Sequence, residues 1–457
     1  MNGVFTRKKV PTLSIVLLLL LTGLSILLSR CSTSPAEIRP NIILISIDTL
    51  RADHLGCMGY RKNTTPHIDK FSDESVLFTK CFAQSSSTLS SHASILTSLI
   101  PSHHGASYAR KTPLPKKIVT MAEILKTNGF KTISFNNGGQ VAPCFGLGQG
   151  FHIYRSKQRT FDKFYFRDIV KDTIEWLESN SDERFFLFLH TYETHTPYTP
   201  NKEYLDLFET QYEGKLPMHT LDDLALVINR GQLKITDEDL KHIINTYNAE
   251  IRSMDDSFQR FLDYLKRRSL FDNTMIIFTS DHGEEFREHG MVAEHSHTLY
   301  NELLHVPLMI KFDRSRYSSK IIRRHVRSVD IMPTVLDILN IEDSIEVDGM
   351  SLMPMINGRQ QGFEQFVIAE RDMEECLKPQ CWSVIRGRWK LYNTCLYDLE
   401  RDPGETVDVS DDHMDIKRTL RRGALRYMQR NRIMNTRKRA EIDKEELERL
   451  RSLGYIK

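Results

Sequence analysis

The sequence is poor in cysteine and carries almost no excess charge of either sign. Only seven of its 457 residues are cysteine, and none forms the Cys-x-x-Cys pairs that are typical of zinc sites. The formal net charge is +2, so total charge gives no reason to expect nucleic acid as a partner. No internal repeat is present, which excludes a solenoid. Cys376 and Cys381 are close enough for a local disulfide in an oxidising compartment, and buried free thiols are the alternative.

Long hydrophobic runs are equally scarce, and the exception lies at the N-terminus. Basic residues 7–9 precede the run Thr12–Leu28, TLSIVLLLLLTGLSILL, which is close to the lower length limit for crossing a bilayer. This pattern predicts an export signal or an uncleaved membrane anchor in residues 1–39. Cys31 follows the run and resembles a bacterial lipoprotein cleavage site, so a lipidated Cys31 is a further alternative. We expect an exported protein of the cell envelope or periplasm, in contact with the membrane through this segment.

Short apolar runs alternate with helical stretches from residue 40 onward. Four runs predict buried strands: Asn41–Ile47, Lys131–Asn136, Arg184–His190 and Thr274–Ser280. Three stretches between or before them predict helices: Thr120–Asn128, Asp168–Ser179 and Glu238–Arg268. This alternation is typical of an α/β fold, so residues 40–345 are predicted to form a large, mainly parallel sheet flanked by helices.

The pattern changes near Glu346. The stretches VIAERD, CWSVIRGRWKLYN and CLYDLERDP predict short antiparallel strands, and hence a small C-terminal subdomain over residues 346–411. Residues 412–457 are predicted to form a charged helical tail. Ten Lys or Arg and no acidic residue occur between Lys417 and Arg439, which indicates a solvated helix or a contact with anionic lipid or polysaccharide.

Acidic residues follow two of the predicted strands. Asp48 comes directly after the first strand, and Asp281 and His282 come directly after the last one. Ligands of parallel sheets bind beyond the carboxyl ends of the strands. Two carboxylates and an imidazole there predict a site for one divalent metal ion. The carboxylates favour Ca²⁺, Mg²⁺ or Mn²⁺, and the histidine favours Mn²⁺ or Zn²⁺.

A hydroxyl-rich stretch, SSSTLSSHASILT (Ser85–Thr97), lies between these fragments in sequence. Thr88 precedes an apolar run of helical character, where a threonine oxygen commonly caps the helix N-terminus. Alternatively, Thr88 is a nucleophile whose hydroxyl is activated by the predicted metal ion. The two roles are compatible, since a helix N-terminus also favours an anionic ester group.

Several stretches between about residues 40 and 410 resemble the sulfatase family of the alkaline phosphatase superfamily, and they occur in family order. They include PNIILISIDTLRADHLGCMGY, FLFLHTYETHTPY, YNAEIRSMDDSFQRFL, IIFTSDHGEE, LYNELLHVPLMI and SVDIMPTVLDIL. The ending EELERLRSLGYIK also resembles the tail of many such chains. The resemblance implies the fold of that superfamily.

The resemblance also implies roles for individual residues. It implies one divalent cation held by four ligands: Asp48, Asp281, His282 and the nucleophile oxygen of Thr88. His195 falls where the family has a histidine that contacts the ester oxygen. His297 lies near the family's leaving-group lysine, and His295 is the alternative at that position.

The sequence departs from the family pattern at the nucleophile and in the sulfate pocket. Sulfatases have Cys or Ser, converted to formylglycine, where this chain has Thr88, and threonine cannot yield that aldehyde. In the following motif Ser90 replaces a proline and His92 replaces the anchoring arginine, so His92 is counted among the candidate catalytic residues. Thr49 replaces a second aspartate, and FNNGGQ (Phe135–Gln140) replaces a sulfate-binding Lys-x-His.

A threonine ester cannot collapse by C–O cleavage as an aldehyde hydrate does, so it must be broken at sulfur or phosphorus. The sequence therefore predicts a sulfatase-like, metal-dependent hydrolase of sulfate or phosphate esters with Thr88 as nucleophile. The substrate is an ester, with a glycan or a lipid as its candidate carrier. A phospho-group transferase acting on envelope glycans or lipids, and an inactive sulfatase-like binding protein, are the alternatives.

Overall fold

The computed structural model of the chain describes residue 3 and residues 39–156, 165–214, 216, 221–342, 344–359, 365–372, 381–430 and 442–453. The N-terminal apolar run, Cys31 and Cys376 lie outside these residues, so their predicted roles stay predictions. Cys381 is buried. Within the described ranges, every helix is too short or too polar to cross a bilayer.

Fifteen strands occur in the described part of the chain. They are β1 (Asn41–Ile47), β2 (Val76–Phe82), β3 (Lys131–Asn136), β4 (Ile153–Ser156), β5 (Phe185–Thr191), β6 (Thr274–Ser280), β7 (Glu285–Phe286), β8 (Val292–Glu294), β9 (His305–Lys311), β10 (Lys320–Ile322), β11 (Val326–Arg327), β12 (Val367–Glu370), β13 (Trp382–Arg386), β14 (Trp389–Tyr392) and β15 (Cys395–Asp398). The four strands predicted from the sequence are confirmed, three of them to the residue and the fourth shifted by one.

The large sheet has the strand order β10-β2-β9-β6-β1-β5-β3-β4, and β11 also pairs with β2. All neighbours are parallel except those of β9, which runs antiparallel to both β2 and β6. The predicted mainly parallel sheet is confirmed, with β9 as its one reversed strand among the described residues. The central strand β1 is parallel to β5 on one side and to β6 on the other.

The helices pack on both faces of this sheet. Their bounds are Pro66–Asp73, Thr88–Thr97, Pro101–His104, Met121–Thr127, Phe166–Asn180, Lys202–Leu205, Leu221–Asn229, Asp237–Arg267, Asn301–Leu304, Ile331–Ile338, Met353–Ile356, Met414–Gln429 and Lys444–Ser452. The helices predicted at 120–128, 168–179 and 238–268 are confirmed. Two of them begin with capping boxes, at Thr120 and Thr236, which satisfy backbone N–H groups of the first turn.

Strand β1 shows why strands of the large sheet occur in the sequence as nearly continuous apolar runs. Ile42 and Leu44 belong to one buried apolar cluster, which includes residues of the helix Thr88–Thr97. Ile43 and Ile45 belong to a second cluster on the opposite face, with residues of the long helix Asp237–Arg267. A strand that is covered by helices on both faces must be apolar at every position.

Strands β12 to β15 form the predicted small antiparallel sheet in sequential order. The helix Met414–Gln429 packs on it through Leu420, Ala424 and Met428. The boundaries at residues 346 and 411 stay a prediction, because the polypeptide on either side continues to contact the large domain: Glu370 N donates to Gln84 O over 2.8 Å.

A fully buried ion pair lies where the small sheet meets Asn301 of the larger domain. Lys390 Nζ lies 2.6 Å from Glu405 Oε1, and Glu405 Oε2 accepts a hydrogen bond from Asn301 N. Replacing Lys390 by Met is expected to destabilise the protein by about 3–5 kcal/mol, because the carboxylate of Glu405 is left buried and uncompensated. Denaturant unfolding measures this, and the double variant K390M/E405Q is expected to recover most of the loss. A single variant within about 1 kcal/mol of wild type would contradict the prediction.

Candidate active site

The predicted metal ligands meet at the carboxyl ends of β1 and β6. These strands are parallel neighbours with Ile47 opposite Ser280, so the residues that follow them lie side by side. Asp48, Asp281 and His282 each offer a ligand atom, and these atoms all lie within 4.8 Å of one another. All three residues are fully buried.

The backbone turn after β1 is strained and firmly held. Thr49 has a φ of +55°, a conformation that β-branched residues rarely adopt. Its hydroxyl donates to Thr194 O over 2.7 Å, and its carbonyl accepts from the Tyr247 hydroxyl over 2.8 Å. Its N–H faces Asp281 Oδ1 at 3.3 Å. Thr49 therefore positions Asp281 through its backbone and keeps its own side chain turned to Thr194.

His282 is oriented by its neighbour in the chain. Its Nδ1 lies 3.0 Å from Gly283 O, a bond that requires the proton on Nδ1 and puts a lone pair on Nε2. Residue 283 must be glycine, because a Cβ there would come within 1.9 Å of the carbonyl oxygen of Glu302. Nε2 faces Asp281 Oδ2 at 3.4 Å. The imidazole thus directs its Nε2 atom toward the carboxylates.

Thr88 joins this cluster from the opposite direction. It is the first residue of the helix Thr88–Thr97, and Ser87 occupies the N-cap position, although its side chain makes no capping bond. Thr88 Oγ1 lies 3.3 Å from His282 Nε2, and its side chain also hydrogen-bonds Asp48. The capping role considered for Thr88 is therefore not the one it has in the structure.

The carboxylates have the features of a cation site. Asp48 Oδ1 and Asp281 Oδ2 are buried without a hydrogen-bond partner. Burial, and next the negative charge of Asp281, raises the pKa of Asp48 well above its usual value. Two adjacent buried carboxylates are costly unless a cation compensates them. The donor set of two carboxylates, one imidazole nitrogen and one hydroxyl oxygen fits a divalent metal ion.

His92 and His190 flank the two aspartates. His92 Nδ1 contacts Thr88 O at 2.8 Å and lies 3.5 Å from Asp281 Oδ2. His190 Nε2 lies 3.3 Å from Asp48 Oδ2. Burial lowers the pKa of both histidines. His190 was not among the predicted site residues, and the signal for it in the sequence is a histidine at the end of the otherwise apolar run FFLFL.

Of the three further histidines predicted from the sequence, His295 lies beside His282 and His195 lies beside His295. The ring of His295 is 4.6 Å from that of His282 and 4.9 Å from that of His195. Burial lowers the pKa of His195 and of His295 to about 3. His297 instead bonds through Nε2 to Glu285 at 2.7 Å. Its role near the leaving group stays a prediction, and His295 is the one of the pair that adjoins the cluster.

The segment Phe135–Gln140 contacts the N-terminus of the Thr88 helix. Gln140 Oε1 accepts a hydrogen bond from Leu89 N at 3.1 Å, and Gln140 N donates to the Tyr192 hydroxyl at 3.0 Å. Gly138 has a φ of +72°, and a Cβ there would lie 2.0 Å from Arg449 Nη1. Arg449 belongs to the C-terminal helix, so the tail of the chain packs against the loop that borders the site.

Several curated proteins and solved structures are similar to this chain over most of its length. An N-acetylglucosamine-6-O-sulfatase of Bacteroides thetaiotaomicron is 24% identical, over 86% of each chain. An arylsulfatase of Clostridium perfringens is 24% identical, over 81% of this chain and 90% of the relative. A phosphonate monoester hydrolase of Agrobacterium radiobacter has a TM-score of 0.69 at 21% identity, covering 86% of this chain and 96% of that one.

A further solved structure, in complex with its substrate D-glucosamine-2-N,6-O-disulfate, also has a TM-score of 0.69, at 19% identity over 86% of this chain and 98% of that one. Two family models match as well. The one described as N-sulphoglucosamine sulphohydrolase, C-terminal, matches residues 288–430. The one described as Sulfatase matches residues 40–341, well over half of the chain and including Asp48, Thr88, Asp281 and His282. The chain belongs to the sulfatase family.

Proposed function

We propose that this sulfatase-family hydrolase is metal-dependent and cleaves sulfate or phosphate esters with Thr88 Oγ1 as its nucleophile. One observation carries the proposal: the Thr88 hydroxyl lies 3.3 Å from His282 Nε2 and hydrogen-bonds Asp48. The same hydroxyl lies at a helix N-terminus, where backbone N–H groups favour an anionic ester group. Asp48, Asp281 and His282 would hold one divalent cation, which lowers the pKa of the hydroxyl and balances charge on the ester.

The reaction follows from these positions in two displacements. Thr88 Oγ1 attacks sulfur or phosphorus in line with the leaving alcohol, and the bond from that atom to the leaving oxygen breaks as the threonine ester forms. The hydroxyl proton that Thr88 loses is balanced by the proton that the departing alkoxide gains to leave as an alcohol. Water then attacks the same sulfur or phosphorus atom, which releases sulfate or phosphate and regenerates the hydroxyl. His195 bonds Thr196 O through Nδ1, which puts a lone pair on Nε2. A histidine with a pKa of about 3 is neutral at pH 7 and a weak base, so His195 would orient the attacking water by accepting a hydrogen bond rather than by taking up its proton.

The proposed substrate class is an anionic ester on a sugar. Among the relatives, one is named as a sulfatase of N-acetylglucosamine, and a similar structure holds a disulfated glucosamine. A phosphonate monoester hydrolase shares the fold, so phosphorus esters belong in the same test. We further propose that residues 1–39 direct export to the cell envelope, with Cys31 as a candidate lipid-bearing residue.

A substrate panel tests this function. The full chain is assayed with an aryl sulfate, a phosphate monoester and a phosphodiester, each with Ca²⁺, Mg²⁺, Mn²⁺ or Zn²⁺ added after chelation. Hydrolysis that depends on the added metal supports the proposal. A product in which the phospho-group has moved to a glycan or lipid supports a transferase. If none of the three esters is hydrolysed with any of the metals, the result supports a binding protein.

Arg449 is proposed to bind the anionic group of the substrate. The segment FNNGGQ stands where the family pattern has a sulfate-binding Lys-x-His, and Arg449 Nη1 fills the space beside Gly138 in that segment. Arg449 also pairs with Glu446 at 2.7 Å, which fixes its position on the C-terminal helix. The tail of the chain would thereby supply guanidinium donors to a segment without a basic side chain, and Glu446 balances their charge.

Replacing Arg449 by Ala is expected to raise KM for the ester about 10- to 100-fold with a smaller change in kcat, the size of a lost charged hydrogen bond. Steady-state kinetics measures this, and Arg449→Lys should recover part of the loss. Arg451→Ala, an exposed arginine on the same helix, is the matched control. An unchanged KM in a folded Arg449→Ala variant would contradict the role.

A further inference from the structure

A second concave site lies between the edge of the large sheet and the small C-terminal sheet. Its cavity has a volume of about 460 Å³. Five of the side chains that line it are basic: Lys80, Arg323, Arg324, Arg386 and Arg388. Glu400 is the one carboxylate among the described lining residues. The catalytic proposal uses none of these residues.

The charge of this cleft differs sharply from that of the whole chain. The net charge of all 457 residues is only +2. Arg388 is paired with Asp398 and Glu400, which neutralises one of the five basic groups. Arg324 and Arg386 also have partners, yet five basic side chains and a single carboxylate line one cavity among the described residues, which makes the local potential positive. Such a concentration of arginine favours groups that accept two parallel hydrogen bonds, as sulfate and phosphate do.

The cleft also has flat and neutral surfaces. Trp389, Gln365, Met355 and Leu399 also line it. A mixture of aromatic, amide and apolar residues beside the basic ones suits a sugar ring, which offers both C–H and hydroxyl groups. A flat bilayer surface, in contrast, contacts an exposed patch more readily than the walls of a cavity. We propose that this cleft binds an anionic oligosaccharide, sulfated or phosphorylated, at a site separate from Thr88.

The position of the cleft suits a long substrate. Strand β2 carries Lys80 near its carboxyl end, and β2 runs parallel to β6 because both are antiparallel to β9. The cleft therefore lies toward the same edge of the sheet as Asp48 and Asp281. Three strand spacings separate β2 from β1 in the sheet order, about 14 Å. One extended glycan could occupy the cleft and present an ester to Thr88, a consequence that rests on the proposed function.

Direct binding tests the cleft without relying on catalysis. The probes are a sulfated oligosaccharide of defined length and its desulfated counterpart, titrated calorimetrically into the full chain. The double variant R323S/R386S is expected to bind the sulfated probe at least 10-fold more weakly, with the desulfated probe bound weakly by all forms. K116S/K117S removes the same charge from exposed positions outside the cleft and should bind like wild type.

Each other outcome overturns the proposal. Equal weakening in K116S/K117S would mean a diffuse charge effect, and unchanged binding in R323S/R386S would place the oligosaccharide elsewhere. Binding to phosphatidylglycerol vesicles that is lost in R323S/R386S, with oligosaccharide binding retained, would indicate a lipid surface. If hydrolysis is found, R323S/R386S should raise KM for a polymeric ester and leave an aryl ester unaffected. If no ester is hydrolysed, the proposed function fails while the binding result still decides the cleft.

Discussion

Replacing Thr88 by Ala is expected to lower kcat for ester hydrolysis by about 10⁴-fold or more, because the attacking oxygen is removed. Thr88→Ser keeps an Oγ at the same position and should retain activity within about 10-fold, since only a methyl group is lost. Stopped reactions of the wild-type chain should carry one sulfo- or phospho-group on the peptide that contains Thr88. Mass spectrometry of that peptide checks the intermediate, and steady-state kinetics checks the rates.

Thr97 provides the matched control for this substitution. It lies on the same helix, is equally buried, and its hydroxyl donates to Ala93 O over 2.6 Å rather than facing the metal ligands. Thr97→Ala should change kcat by less than about 3-fold, in line with a purely structural hydrogen bond. Retention of a tenth or more of wild-type activity in Thr88→Ala would rule out Thr88 as the nucleophile.

The sequence was sufficient to predict that Asp48, Asp281 and His282 lie together, but not which other residues surround them. Asp48, Asp281 and His282 are predictable because each follows a buried strand, and parallel strands end at a common edge. Their adjacency depends on β1 pairing with β6, a pairing between segments more than 200 residues apart that no local pattern encodes. His190 was missed for a related reason. It reaches Asp48 only because β5 is the other neighbour of β1.

The different surroundings of His295 and His297 could not be predicted from the sequence for another reason. In a regular strand both side chains would point to the same side. Ala293 and Ser296 instead have φ values of +51° and +66°, so the backbone turns between the two histidines. His295 comes to lie against His282, and His297 is directed to Glu285. Left-handed backbone at non-glycine residues is not predictable from composition or periodicity.

The burial of Arg449 likewise cannot be predicted from the local sequence. The tail EELERLRSLGYIK reads as an exposed charged helix, yet Arg449 is buried against Gly138. Two glycines with positive φ, Gly138 and Gly139, make room for Arg449 and Leu453 respectively. From the sequence, FNNGGQ could be interpreted only as the replacement of a sulfate-binding Lys-x-His. In the structure, its two glycines leave space for side chains of the C-terminal helix.

Asp48→Asn is expected to have opposite effects on stability with and without metal. In metal-free protein at pH 7, the raised pKa of Asp48 means that its ionised carboxylate costs folding energy. That cost is present above the pKa of an unfolded aspartate and disappears as the pH falls below it. The amide carries no charge, so the variant should melt roughly 1–3 °C higher than wild type in excess chelator.

With the cognate divalent ion in excess, Asp48→Asn should instead melt at a lower temperature than wild type. Loss of a charged ligand is expected to weaken metal binding by at least about 100-fold, which removes about 2.7 kcal/mol of ligand-induced stabilisation. Melting curves with chelator and with each metal measure both effects, and calorimetric titration measures the affinity. Asp330→Asn is the control, since this buried carboxylate is paired with Arg327 at 2.7 Å and should be destabilised equally in both conditions.

The reversal separates a cation site from a merely buried acid pair. If Asp48 and Asp281 only shared a proton, Asp48→Asn would raise the melting temperature in every buffer and metal would change nothing. If Asp48 were a structural acceptor for Thr88, the substitution would lower it in every buffer. A variant that melts above wild type in chelator and below it with metal requires a carboxylate that is unfavourable alone and favourable with a cation. The oxygens Asp48 Oδ1 and Asp281 Oδ2, which are buried without a hydrogen-bond partner, imply this property.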